Sequence, residues 1–310
     1  MDLPGLLMQI LNDYTLRTVM LGAAVLGVTS GVLGCFALLR RQSLLGDALS
    51  HAALPGICIA FIVSGGSKAP VVLLLGAAVS AWLGALALGS IIQRSRIKED
   101  SAMGIVLVVF FGLGYALLSL LQTSAGAGQA GLDRYLFGRA SAMLQSDVEV
   151  MAVLAALALG VTALLYKEFK LLTFDPAYLV SLGFPRRALD ALLTTLMVIA
   201  IVIGLQTVGV VLMSAMLIAP AAAARQWTNR LSHMIVLASA VGIVSGAAGA
   251  LASASTAQLP TGPAIVLILT ALTLVSLLIG RERGLLWAWL RQRRSRAALR
   301  ARAAAEGGRP

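Results

Sequence analysis

Residues 39–61 read LRRQSLLGDALSHAALPGICIAF. The stretch opens on a basic doublet, Arg40 and Arg41, and then turns almost wholly apolar. Within the apolar part stand an acid and an imidazole one helical turn apart, Asp47 and His51. On a helix that spacing puts both side chains on one face, within reach of a shared ligand. One turn further comes Pro55, which cannot donate a hydrogen bond back to the His51 carbonyl. A carboxylate, a ring nitrogen and a freed backbone oxygen then face the same way, a donor set that fits a divalent metal ion. Ionisable side chains inside a membrane segment are costly and mark function by default.

Composition places the segment in a membrane. Hydrophobic residues make up 59% of the chain, charged residues 12%, and the mean hydropathy is +0.92. An average soluble domain is about half apolar and about a quarter charged. The 310 residues leave room for eight or nine spans of about 20 residues each. The formal charge of +11 is not a nucleic-acid footprint, because the basic residues flank apolar runs or lie in one tail. The expected surroundings are therefore membrane lipid, with no nucleic acid. Cys35 and Cys58 each lie inside an apolar run, with no CxxC pattern, and read as small packing residues.

Taken in order, the chain is expected to be an all-α polytopic integral membrane protein of nine transmembrane helices, with eight as the alternative count. Residues 1–17 form a stub whose LLMQIL could lie at the interface. Spans follow at about 18–39, 44–63, 71–92, 102–121, 148–166, 188–205, 208–224, 231–251 and 264–279. Gly27 with Gly31, and Gly242 with Gly246, have the small-residue spacing that lets helices approach closely. The connection 122–147 contains LDRYLFG, read as an ordered amphipathic element. Placing Arg40 and Arg41 in the cytoplasm sends Arg94, Arg96, Lys98, Lys167, Lys170, Arg186, Arg187, Arg225, Arg230 and the Arg-rich tail to the same side. Nine spans with the N-terminus outside and the C-terminus cytoplasmic obey the positive-inside rule.

Asp47 and His51 have a plainer reading: Asp47 caps the second helix, and His51 hydrogen-bonds to a neighbouring span. Against it, His51 is the histidine well inside a span, whereas His233 falls at a span edge. One Asp–His pair is too few ligands for a tight site, but two subunits about a two-fold axis would supply a four-donor cage. An oxygen with an imidazole nitrogen suits Mn²⁺, Fe²⁺ or Zn²⁺ and not Cu(I). In FDPAYLVSLGFP, Asp175 reads as a helix cap, Pro176 as its first turn and Gly183 as its end. Pro220 kinks the seventh span, as a hinge or as a packing bend. The tail, with Trp287 and Trp289, is either an interfacial helix on an anionic leaflet or a solvated stop-transfer segment.

SLLGDALSHAALPGICIAF resembles the signature of the ABC-3 metal permeases, the membrane subunits of bacterial manganese, zinc and iron importers. The likeness continues in LDRYLFG (132–138), LLTFDPAYLVSLGF (171–184) and TVGVVLMSAMLIAPAAAA (207–224), in the family's order. It covers most of residues 18–278 and leaves out the stub and the tail. The resemblance implies a permease in the bacterial cytoplasmic (inner) membrane, acting as a dimer. Cytoplasmic ATPase subunits would drive it, and an extracytoplasmic metal-binding protein would feed it. It carries the family's metal-pathway pair onto Asp47 and His51, and the ATPase-coupling helix onto the segment 171–187 with Asp175, Pro176 and Gly183. The division implied is a stub (1–17), a permease domain (18–280) and a basic cytoplasmic tail (281–310). The chain contains no GxxxxGKS or GxxxxGKT phosphate loop, so hydrolysis is expected on a separate subunit and this chain is not expected to be an enzyme. A transported metal, with no permanently bound cofactor, is the expected cargo. The rivals are a secondary metal/proton symporter using Asp47 as proton carrier, an intramembrane metallohydrolase, which lacks an HExxH, and an importer of chelated metal.

Overall fold

Lipid offers no hydrogen-bond partner to backbone amides, so a chain this apolar must satisfy them within helices. The computed structural model describes residues 14–67, 69–124, 143–255, 259–287 and 289. The regular elements among them are helices: α1 (Tyr14–Leu39), α2 (Leu45–Val63), α3 (Pro70–Arg94), α4 (Glu99–Ser124), α5 (Gln145–Leu164), α6 (Tyr166–Phe174), α7 (Pro176–Ser181), α8 (Arg186–Thr207), α9 (Val210–Arg225), α10 (Leu231–Ser255) and α11 (Thr261–Ile279). Eight of them are long and apolar enough to cross a membrane: α1 to α5, α8, α10 and α11. The LLMQIL stretch, LDRYLFG and the tail beyond residue 289 lie outside the described residues.

Pairings between helices fix their relative directions. Gly27 meets Gly242 and Gly31 meets Ser239, so α10 runs against α1. Gly56 faces Gly76 and Ala52 faces Gly84, so α3 runs against α2, while His51 against Phe111 and Leu54 against Gly114 make α4 parallel to α2. The connections α1–α2, α3–α4, α5–α8 and α9–α10 consequently share one end of the bundle. An Arg40–Asp190 ion pair and an edge-on contact between Phe36 and Phe169, with ring centroids 6.1 Å apart, hold that end together. Arg40, Arg94, Lys98, Lys170, Arg186 and Arg230 all belong to it. The opposite end is tied by the Gln145 amide donating to the Tyr14 hydroxyl (3.2 Å) and by Ser253 against Thr261 (2.9 Å).

The seventh expected span is present as α9, separate from α8 but short. Its 16 residues reach about 24 Å at ~1.5 Å per residue, less than the ~30 Å hydrocarbon core. The reason is that α8 and α9 join inside the protein. Leu205, Thr207, Val208 and Val210 are all buried, and Gly209 turns the chain with a φ of 81°, open to glycine without strain. Thr207 Oγ1 donates to the Gly204 carbonyl at 3.0 Å, and the Val208 amide also donates there at 3.0 Å. Non-helical backbone at membrane depth is tolerated when it is enclosed by protein in this way.

Close contact depends on glycine. A methyl group on Gly27 would come within 2.5 Å of the Gly242 backbone, and one on Gly84 within 2.7 Å of the Ala52 methyl. Nothing lies within 4 Å of such a group on Gly89, Gly112 or Gly160, which sit on open faces of α3, α4 and α5. These outer helices turn Leu75, Val79, Val108, Val109 and Val153 outward, as lipid-facing surfaces do.

At the basic end, α5 breaks at Leu165 and the chain continues as α6 and α7. The α6 helix buries Phe169 and Leu172, a short amphipathic element. The Asp175 carboxylate accepts the Tyr178 amide at 2.9 Å, Pro176 takes the first turn, and Gly183 has a φ of 85°. The Gly183 amide donates to Val180 and the Phe184 amide to Leu179, at 3.0 and 3.3 Å. This is a Schellman ending, with glycine at the left-handed position.

Two outcomes follow for stability. Gly27→Ala should lose roughly 1–3 kcal/mol from overpacking, whereas Gly112→Ala should be neutral or gain up to about 1 kcal/mol of helix propensity. Thermal unfolding in detergent separates them, and equal melting of the two variants would contradict the seam. Asp175→Ala should cost α7 about 1 kcal/mol, read as faster amide exchange over residues 176–184 with exchange in α1 unchanged.

Candidate functional site

The α2 helix is enclosed on nearly every side. Leu45, Gly46, Ala48, Leu49, Ser50 and Ala52 to Cys58 are all buried. Small residues let three neighbours close in: α3 at Ala52 and Gly56 of α2, α4 where its Gly114 receives Leu54, and α9 through Leu217 beside Gly46. Pro55 stands inside the helix, so the His51 carbonyl receives no bond from that position. The next carbonyl, Ala52, accepts a 2.7 Å bond from Ser80 of α3 in addition, and Ser50 donates to the Asp47 carbonyl at 3.0 Å.

Asp47 lies in the first turn of α2, where the helix dipole favours a carboxylate. Its Oδ1 is 3.4 Å from His51 Nε2, with the two side chains 33% and 14% exposed respectively. That separation is long for a hydrogen bond. The imidazole packs edge-on against Phe111 of α4, with centroids 4.9 Å apart at 79°. Its Nδ1 is buried with no partner among the described residues. The expected one-face arrangement is therefore present, and the plainer reading is not what the side chains do. The helix is capped at Leu44 without a side-chain bond, and the His51 ring makes no described hydrogen bond to another span. Phe111 is itself exposed, and exposed Tyr115 packs against it one turn further along α4.

Among the described residues, no three His, Cys, Asp or Glu side chains gather as a metal site. A single copy of the chain thus brings two such side chains together. Met213, Met216, Cys35 and Cys58 are buried packing residues, and His233 is exposed near the start of α10.

Asp175, Pro176 and Gly183 lie together at the basic end, where they shape α7. Leu179 anchors that helix in the core, while Phe174, Tyr178, Val180, Leu182 and Phe184 stay exposed. An apolar cluster of this kind beside Lys170, Arg186 and Arg187 suits a protein partner more than bulk solvent.

Two features at this end have no periodic signature in the sequence. One is the Arg40–Asp190 pair. The other is Arg41, which closes α1 with a φ of 59° where glycine is usual. A basic doublet followed by a polar residue was their only trace.

The zinc transport system membrane protein TroC of Treponema pallidum (strain Nichols) is 47% identical over 289 residues, covering 93% of this chain and 96% of that protein. The manganese transport system membrane protein MntC of Bacillus subtilis (strain 168) is 49% identical over 267 residues, 86% of this chain and 61% of that protein. Among solved structures, PsaBC from Streptococcus pneumoniae in complex with Fab superposes with a TM-score of 0.78 at 30% identity, covering 91% of this chain and 98% of that one. The model of the ABC 3 transport family matches residues 12–280, and with these relatives it establishes that the chain is a membrane permease belonging to that family.

Proposed function

We propose that the chain is the membrane-spanning subunit of an ATP-driven importer for a divalent transition-metal ion, Mn²⁺, Zn²⁺ or Fe²⁺. It works in the bacterial inner membrane as a dimer, with separate ATPase subunits at its basic, cytoplasmic end. An extracytoplasmic metal-binding protein delivers the ion to the opposite end. The observation that carries this reading is the Asp47–His51 pair inside α2. Two donors 3.4 Å apart are separated by about the edge of a coordination tetrahedron whose bonds are ~2.1 Å long. Relatives are named for the same metals: TroC for zinc, MntC for manganese, and YfeD of Yersinia pestis for iron in chelated form, which is the cargo of the chelated-metal rival.

The chemistry follows from the donor set. A carboxylate oxygen and an imidazole nitrogen replace part of the ion's hydration shell and accept any of the three metals. Two donors hold it weakly, and a second protomer closing over the Phe111 side would add its own pair. A transport site must release what it binds, so ligands shared between subunits can be separated when the subunits move. The exposed cluster on α7 is the surface through which ATPase closure is transmitted, with Asp175, Pro176 and Gly183 fixing its shape.

Asp47→Asn and His51→Ala should each abolish metal accumulation while leaving membrane insertion and dimer assembly intact. The measurement is uptake of ⁵⁴Mn, ⁶⁵Zn and ⁵⁵Fe with the ATPase subunits co-expressed. Wild-type uptake by both variants would remove the site, and uptake driven by a pH gradient without ATP would replace the importer with the symporter.

A further inference from the structure

The Arg40–Asp190 ion pair joins residues 150 positions apart, and neither the metal pair nor the α7 surface makes use of it. Arg40 is only 13% exposed on its side chain, and Asp190 is 43% exposed. The arginine is placed by the ending of α1. The Arg41 amide donates to Leu38 at 3.1 Å and the Gln42 amide to Ala37 at 2.9 Å, with Arg41 itself left-handed. The turn then leads directly into α2 and Asp47. The aspartate sits near the start of α8, the helix that follows α7 and its exposed cluster. Phe36 against Phe169 adds a second tie between the end of α1 and α6.

The end of α1 and the turn that leads into α2 are therefore bound to helices on both sides of the α7 surface. Pulling the charges apart would leave the mostly buried guanidinium uncompensated, which is strongly unfavourable. The turn should accordingly follow α8 when that helix moves. Arg40 Nη2 makes the bond while Nη1 is buried without a described partner, so the carboxylate is held at one point and not by a bidentate fork. A one-point tie tolerates rotation while resisting separation.

We infer that Arg40 is a positioning residue of the transport cycle. Through Asp190 it carries displacement of the α6–α8 docking region to the first turn of α2, where Asp47 lies. The inference rests on the reading of the chain as an ATP-driven metal importer. It adds the physical link between the docking surface and the metal pair.

The test uses the complete transporter in proteoliposomes, permease with ATPase subunits and metal-binding receptor, and reads metal ions imported per ATP hydrolysed. Arg40→Gln and Asp190→Asn should each lower that ratio about tenfold or more, within the usual range of coupling between sites, with assembly and ATP hydrolysis retained. The exchange Arg40→Asp with Asp190→Arg should recover the ratio to within about threefold of wild type, as expected for a directly interacting pair. An unchanged ratio in both single variants would overturn the inference. So would loss of assembly that the exchange fails to restore, because the pair would then be structural only. Asp47→Asn is measured alongside: normal uptake there overturns the metal-pair reading, while the Arg40 ratio still judges the link. Import by wild type without ATP would instead overturn the importer reading itself.

Discussion

Helices surrounded by lipid gain nothing from hiding apolar side chains from one another, since the acyl chains are equally apolar. What holds them together is the closeness with which their surfaces fit. In this protein that closeness is supplied by glycine: backbone meets backbone at Gly27 on Gly242 between α1 and α10 and at Gly56 on Gly76 between α2 and α3, and Gly114 of α4 receives the Leu54 side chain of α2. These contacts lock α2 into the interior, and α2 carries the two titratable groups.

The position of α2 has an electrostatic consequence. A carboxylate and an imidazole turned to hydrocarbon would be severely penalised; His51 is instead mostly covered and packed edge-on against Phe111, while Asp47 keeps about a third of its side chain exposed. The dipole of the helix start favours the Asp47 charge, while the His51 ring keeps a buried nitrogen without a partner. A side chain with an unmet polar atom in a packed interior calls for a reason. Binding of a passing cation is a reason that a purely architectural role for His51 would not supply.

Much of this was legible in the sequence, because lipid imposes simple rules. Apolar runs bounded by basic residues located the spans to within a few positions, and Asp175, Pro176 and Gly183 announced the start and end of α7 through local chemistry alone. The pairing of Gly27 with Gly242 could be suspected from spacing, although which helices met could not. The end of the fifth span near residue 165 was legible, but the helix that follows was not, since Lys167, Glu168 and Lys170 suggest a loop while Phe169 and Leu172 make an amphipathic helix. The Arg40–Asp190 contact was also hidden: it depends on how two distant turns meet, and no periodicity records that.

The buried turn between α8 and α9 shows why span counting alone misses part of the architecture. By hydropathy both helices look like ordinary spans, yet the chain reverses at Gly209 in a turn whose flanking residues Thr207, Val208 and Val210 are buried in protein. A turn there would be ruinous against lipid. It is stable because Thr207 and Val208 bond back to Gly204 and because Leu26 of α1 and Met213 of α9 pack over Gly204. Shortening α9 leaves its middle beside α2, where Leu217 covers Gly46 next to Asp47. Pro220 falls one turn later, so the Met216 carbonyl also goes without its helix bond. Two adjoining helices, α2 and α9, thus each have an interrupted hydrogen-bond ladder close to the acid and the imidazole. Each break leaves a backbone oxygen without its helix bond, that of His51 on α2 and that of Met216 on α9, and such oxygens are tolerated in a membrane protein only where protein or a polar cavity encloses them.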